Sequence, residues 1–476
     1  MTTRRDVLKL GAAGLFASAL PSLASAASTP TLISKRPLKA QRRFSSIAVE
    51  RELARVKAGI GDRKLAWMFE NCYPNTLDTT VEMGMVDGKP DTFVITGDIE
   101  AMWLRDSSAQ VHPYLPLASR DPALQRMFQG VIRRQAACIR LDPYANAFLP
   151  EPTNKRLKWS LHDLTTMHPG VGERKWEIDS LCYPIRLAHG YWRATGDTRA
   201  FDEDWRQAMA LVVQTFREQQ RLHDKGPYQF QRPSEIPTET QFLQGYGNPT
   251  KPNGMIHSMF RPSDDACLYP LFVPANLFAV TSLRQLAEMS EAIHHDLSFA
   301  ADCRALADQV EAATREFGRM RDAQGQEFWA FEVDGYGNQL FMDDANAPGL
   351  LSLSYLGYCD QNDPVFRRTR ELVWSERNPY FFKGSAAEGI GGPHEGLRMI
   401  WPMSIIMLAM SSNDDAEIRQ CLQWLRDTDA GTGFIHEAFD QDDPTHFTRD
   451  WFAWANTLFG ELIVDLHARK PHLLKG

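Results

Sequence analysis

Asp179-Ser-Leu-Cys-Tyr183-Pro184 and Asp265-Ala-Cys-Leu-Tyr269-Pro270 set Asp, Tyr and Pro at identical spacing, and each reads as the opening of an apolar helix. Arg105-Asp106-Ser107-Ser108 and Arg449-Asp450-Trp451-Phe452 likewise put an Asp where a polar loop turns into an apolar helix. Helix starts of one kind predict a repeated unit, a helical hairpin with its polar loop at one end. Hairpins closed into a toroid would bring those loops together over a central pit. A less regular helical array is the competing architecture.

Away from these motifs, apolar residues recur at i, i+3 and i+4 over residues 46–66, 123–140, 178–195, 205–223, 275–289, 295–317, 365–375, 396–410, 415–427 and 451–467, which predicts helices there. Alternating strands are few: residues 93–95 with their neighbours, and 327–333, where Asp334-Gly335 marks a hairpin-like turn. The fold class is therefore all-α with short strands. The loops between helices are long and rich in Trp, Asp, Glu, Gly and Pro. Loops of that length in a compact domain tend to carry function.

The chain begins differently. Arg4 and Arg5 precede an apolar run over residues 10–23 and then Ala24-Ser25-Ala26. Paired arginines, a run too short to span a bilayer and a small-residue cleavage site predict a twin-arginine export signal over residues 1–26. The expected location is periplasmic or secreted, in a bacterium. Residues 27–43 lack periodicity, and the remainder suits one large domain. A formal net charge of −8 argues against nucleic acid as a partner. The seven cysteines include no CxxC pair, so neither a disulfide scaffold nor a zinc ribbon is indicated. They are expected to be buried small hydrophobes in a chain that folds before export.

Four loop segments gather carboxylates with Arg, His or Trp: residues 97–107 with Trp103, Arg105 and Asp106, residues 175–180 with Asp179, residues 260–266 with Arg261, Asp264 and Asp265, and residues 433–439 with His436 and Glu437. That mixture suits sugars, since carboxylates and guanidinium groups bind hydroxyls, aromatic faces cover the ring, and two carboxyls cleave the bond. Asp106, Asp179, Asp265 and Asp450 stand where a helix wants an N-cap, a role that stabilises by about 1 kcal/mol with no catalysis. Asp264 is an extra acid beside Asp265, and adjacent carboxylates can keep one proton near neutrality. Glu437 follows Gly431 and Gly433, which argue against a regular helix there. Asp440, Asp442 and Asp443 lack the ligand spacing of a calcium loop, and no HExxH or Cys/His zinc spacing occurs, so no metal and no cofactor is expected.

The segments GDIEAMWLRDSSAQ, KWEIDSLCYP, MFRPSDDACLYP and GTGFIHEAF, with FTRDWFAWANTLFGELI closing the chain, resemble glycoside hydrolase family 125, the exo-acting α-1,6-mannosidases. The resemblance runs from about residue 47 to the C-terminus. It implies an (α/α)6 barrel over residues 44–476 as a single catalytic domain, hydrolysis with inversion, no metal, and an α-mannoside glycan as substrate. It also implies Asp264 as general acid, with Asp265 as the alternative, and Glu437 as general base. Trp103, Arg105, Asp106, Asp179, Arg261, Asp265 and His436 are the implied sugar-binding residues, and residues 244–254 are expected to shape the leaving-group side.

Two other readings compete. A glycoside phosphorylase on a similar barrel would need a basic phosphate site and would leave Glu437 without work. A non-catalytic glycan-binding protein would keep aromatic and hydroxyl-binding residues without two opposed acids. Neither membrane insertion nor nucleic acid is expected, and the oligomeric state stays open with a monomer favoured.

Overall fold

The computed structural model describes residues 32–475, of which 34 onward belong to one compact unit; the expected export signal lies outside the described residues. Helices dominate. They run α1 (Ile47–Lys57), α2 (Arg63–Cys72), the short α3 (Asn75–Thr79), α4 (Leu104–Val111), α5 (Pro122–Leu141), α6 (Ile178–Thr195), α7 (Glu203–Gln219), α8 (Val273–His294), α9 (Leu297–Phe317), α10 (Pro364–Val373), α11 (Pro402–Met410), α12 (Asp415–Asp427) and α13 (Ala453–Arg469).

Burial sorts them into two layers. Every residue of α4 is buried, as are nearly all of α11 and most of α6, α8 and α13. A helix that is apolar all round belongs inside. These five pack on one another, α6 against α4 and α8, and α13 against α11 and α4, so the last helix returns to the first. The 3₁₀ turn Leu350–Ser352, packed on α10 and α11, fills the remaining inner place. Outside lie α5, α7, α9, α10 and α12, each with one buried stripe. The ends of the chain make the last hairpin, α1 and α2 packing on α13. The result is the predicted ring of helical hairpins.

The two layers start their helices in different ways. Asp62, Asp121, Asp202, Asp296, Asp363 and Asp414 cap α2, α5, α7, α9, α10 and α12, each accepting backbone N–H groups of the first turn. The inner helices have no side-chain cap; they begin from buried Trp103, Glu177, Phe272, Trp401 and Phe452. This corrects the N-cap reading of Asp106, Asp179, Asp265 and Asp450. Asp106 and Asp179 lie inside first turns, and the other two lie upstream of α8 and α13. The DxxxYP echo is also not a structural repeat. Tyr183 and Pro184 are within α6, whereas Tyr269 and Pro270 precede α8.

Two expected helices are redrawn. Residues 46–66 break between α1 and α2, where Gly59 and Gly61 interrupt the run and Asp62 starts a new cap. Residues 396–410 begin as a strand, Met399–Ile400, paired with Ala438–Asp440, and the helix waits for Pro402 at its first position. Among the described residues the strands form six small sheets. The expected strand at 93–95 is one arm of a hairpin, Val81–Val86 with Lys89–Val94, turned by Asp87 and Gly88 at φ 50° and 73°. Residues 327–333 split between two sheets, and Asp334-Gly335 turns the pair Glu332–Val333 with Gln339–Leu340. No cysteine is bridged, and all but Cys359 are buried.

Candidate active site

Because the inner helices start at one end of the ring, their first turns and the loops feeding them meet. They line an open pocket at the centre of that end. Trp103, Arg105 and Asp106 come from the start of α4, Trp401 from that of α11, and Phe452 and Trp454 from that of α13. Loops add Thr96, Ile99, Ser263, Asp264, Asn346, His394, Glu437 and Arg449.

Asp264 is aimed by a tight turn. Its N–H bonds the Arg261 carbonyl at 2.9 Å, the Arg261 N–H bonds the Asp265 carbonyl at 2.8 Å, and Asp264 itself takes the left-handed conformation at φ 68°. Aspartate tolerates that region better than most residues. Lys175 Nζ holds the Asp264 carbonyl at 2.7 Å, and Asn146 Nδ2 reaches Oδ1 at 3.3 Å. Arg261 braces the turn from behind, ion-paired to buried Glu332 at 2.6 Å.

Glu437 is placed by a different device. It immediately precedes the strand Ala438–Asp440, and its N–H bonds the Thr448 carbonyl at 3.3 Å. Two residues earlier, Asn456 of α13 grips Ile435 through both its N–H and its carbonyl. Arg449 Nη1 stands 3.2 Å from Glu437 Oε1, and its remaining nitrogens pair with Asp98. Burial, opposed by Arg449 and His394, lifts the Glu437 carboxyl to about 7. It is thus ionised in part at neutral pH, where a general base must work.

Carboxyls crowd the wall behind Arg105. Its guanidinium lies 2.6 Å from Glu177, 3.2 Å from Asp179, 3.5 Å from Asp106 and 3.9 Å from Asp264. Burial drives Glu177 far above the usual carboxylate range and Asp179 to about 6, with Arg105 opposing in both cases. His394 sits 3.8 Å from Asp265. Burial would lower its imidazole, but Asp265, Glu437 and Asp264 raise it to about 10, so it is a cation facing both catalytic candidates.

Of the residues singled out in the sequence, Trp103, Arg105, Asp106, Asp264 and Glu437 line the cavity. Asp179, Arg261, Asp265 and His436 stand outside its lining. Asp179 lies behind Arg105, Arg261 is occupied by Glu332, and Asp265 faces His394. His436 stacks on Phe447 with ring centroids 3.7 Å apart and bonds Thr432 and the Arg449 carbonyl. Residues 244–254 line no part of this cavity; several of them border a separate one with Arg221 and Lys225. Asp440 and Asp442 are taken up by Arg398.

Sequence reasoning missed His394, Trp401, Asn346, Arg449 and Glu177. The first two were hidden by the misread helix start, although Gly391-Gly392-Pro393 before His394 signals a loop. Indole Nε1 of Trp103 and of Trp401 and Nε of Arg105 are buried donors with no hydrogen-bond partner. Unpaired buried donors are costly, and at a cavity wall they suit a ligand rich in hydroxyls.

Known proteins agree with that chemistry. The chain matches the family model of metal-independent α-mannosidases, GH125, over residues 62–464. It is 43% identical over 458 residues to the meiotically up-regulated gene 157 protein of Schizosaccharomyces pombe, covering 93% of this chain and 90% of that one. Among solved structures, a Streptococcus pneumoniae metal-independent α-mannosidase in a non-productive complex with α-1,6-mannobiose is 40% identical. It aligns with a TM-score of 0.85 over 89% of this chain and 99% of that one. A bacterial glucoamylase complexed with acarbose, 13% identical with a TM-score of 0.51 over 79% of this chain and 51% of its own, shares the fold alone. A helical-hairpin ring with paired acids at its centre thus has its place: the chain belongs to glycoside hydrolase family 125, the metal-independent α-mannosidases.

Proposed function

We propose that the protein removes terminal α-1,6-linked mannose from the non-reducing ends of glycans with inversion, Asp264 acting as general acid and Glu437 as general base. The observation that carries this reading is the delivery of both carboxyls to one cavity, with unpaired indole donors in its walls. The similar streptococcal enzyme, solved with α-1,6-mannobiose, supports the linkage.

In this mechanism Asp264 gives a proton to the glycosidic oxygen as the C1–O bond breaks. Water attacks C1 from the opposite face, and Glu437 takes the proton that the water loses. Free mannose leaves first as the β-anomer. A phosphorylase would need free cations for its phosphate, and those of the cavity already face carboxylates: Arg105 faces Glu177 and Asp179, Arg449 faces Asp98 and Glu437, and His394 faces Asp265.

Proton NMR during hydrolysis of α-1,6-mannobiose in phosphate-free buffer tests the whole reading. β-Mannose is expected to accumulate before mutarotation. An initial α-anomer, or no mannose without phosphate, sinks it.

We further propose export by the twin-arginine route, which the Arg4-Arg5 pattern supports. Replacing both arginines by lysine is expected to leave full-length protein in the bacterial cytoplasm. Unchanged processing and export of that variant would remove the proposal.

A further inference from the structure

A general acid must hold a proton, and the surroundings of Asp264 work against one. Burial pushes its carboxyl up, yet Lys175, then Arg105 and then the Glu177 carboxyl outweigh burial and hold it below the ordinary range. His394 acts in the same direction.

The proton has another place to sit. Asp106, Glu177, Asp179 and Asp264 surround one guanidinium, that of Arg105, and Glu177 and Asp179 are sealed from solvent at 0% exposure. Lys175 reaches only the backbone oxygen of Asp264 and, at 3.7 Å, Glu239. Lys175 and His394 act on Asp264, but sealed Glu177 and Asp179 both depend on Arg105, so a proton must occupy part of the cluster.

Glu177 is the member built to hold one next to Asp264. Its Oε2 is well supplied, with Arg105 Nη1 at 2.6 Å and Ser180 Oγ at 2.8 Å. Its Oε1 has Asn146 Nδ2 at 3.5 Å. The same Asn146 nitrogen is 3.3 Å from Asp264 Oδ1, so one amide spans the two carboxyls.

We propose that Glu177 is a positioning residue that stores the proton of the general acid, donating a hydrogen bond to Asp264 in the empty site and passing the proton to it during bond cleavage. As the C1–O bond breaks, Asp264 takes the Glu177 proton and delivers one proton to the glycosidic oxygen, so the pair gives up a single proton and both carboxyls end ionised. Glu177 is then a carboxylate held by Arg105 and Ser180. Solvent reloads the pair through Asp264, whose side chain is 27% exposed, while that of Glu177 is sealed. The two carboxyls titrate as one unit, above the range of a lone aspartate.

This inference rests on Asp264 being the acid. The test uses the mature chain, wild type and Glu177→Gln, with α-1,6-mannobiose and with a dinitrophenyl α-mannoside, whose leaving group departs without a proton. Glutamine keeps a donor and an acceptor but carries no transferable proton. The variant is expected to lose about a hundredfold or more in kcat on mannobiose but under about tenfold on the aryl substrate. The alkaline limb of its kcat/KM profile should move to lower pH, and Glu177→Asp should move it back. An unmoved limb with both substrates slowed equally overturns the proposal. Should Glu177→Gln fail to fold, the wild type decides alone: an alkaline limb in the ordinary carboxylate range also overturns it. Failure of the acid assignment looks different, because Asp264→Asn would then slow both substrates alike.

Discussion

At position 437 the proposed role of general base and the stability of the fold make opposite demands. Burial raises the Glu437 carboxyl from an ordinary 4.5 to about 7 despite Arg449 and His394. Between those values the folded chain binds a proton that the unfolded chain has lost. This residue's contribution to stability therefore falls as pH rises through that window and stays lost above it. Glu437→Gln removes the titration while keeping the shape, so the variant should melt higher than wild type at pH 8. The gain is at most on the order of 3 kcal/mol and vanishes toward pH 4.5. Hydrolysis of mannobiose should meanwhile fall by about 10²–10⁴-fold. Calorimetry at the two pH values checks the sign, and a variant that melts lower at pH 8 would show that the carboxylate stabilises the fold.

Among the elements, an apolar stripe facing water is the plainest signal. Outer helices display an apolar stripe against water, so their 3.6-residue period is plain, and 123–140, 295–317 and 415–427 fall within a few residues of α5, α9 and α12. Among the inner helices 178–195 coincides with α6, whereas α4 is short and carries Arg105, Asp106, Ser107, Ser108 and Gln110, so no apolar period announces it. Leu397, Met399 and Ile400 imitated the start of a helix, but Leu397 lies in a turn and Met399–Ile400 form a strand, which concealed the His394 loop. The DxxxYP echo pointed to hairpins although its two copies are not equivalent. A true repeat was present: Phe272-Val-Pro-Ala-Asn276 and Phe452-Ala-Trp-Ala-Asn456. Each Asn clamps the N–H and carbonyl of a remote Ile, Ile256 or Ile435, and the carbonyl of its own Phe. Its meaning is long-range, since Ile256 and Ile435 each lie about twenty residues before their Asn, and no local rule reveals that pairing. Asp264 and Glu437 were legible because acids in glycine- and proline-rich loops have few structural duties. Glu177 was not, because a residue that acts through another carries no signal of its own.

For the molecule as a whole, the ring must close, and the seam lies where the two ends of the chain meet. There Gly460 of α13 lies against Tyr73 at the end of α2. A Cβ at position 460 would stand 2.8 Å from the Tyr73 Cα and Cδ2, closer than packed atoms allow. Tyr73 is itself fully buried, so neither side can yield cheaply. Gly460→Ala should force α2 and α13 apart and cost about 1–3 kcal/mol through overpacking, less the few tenths that alanine returns as a better helix former. The turns that bear Glu437 and Trp454 are anchored on α13, so a loosened seam should be felt at the cavity as well as in the helices. Thermal scans of Gly460→Ala are expected to show helicity and mannosidase activity lost together, in one transition at lower temperature than wild type. Helicity lost in two steps, with activity surviving the first, would mean that the N-terminal helices merely decorate a ring that closes without them.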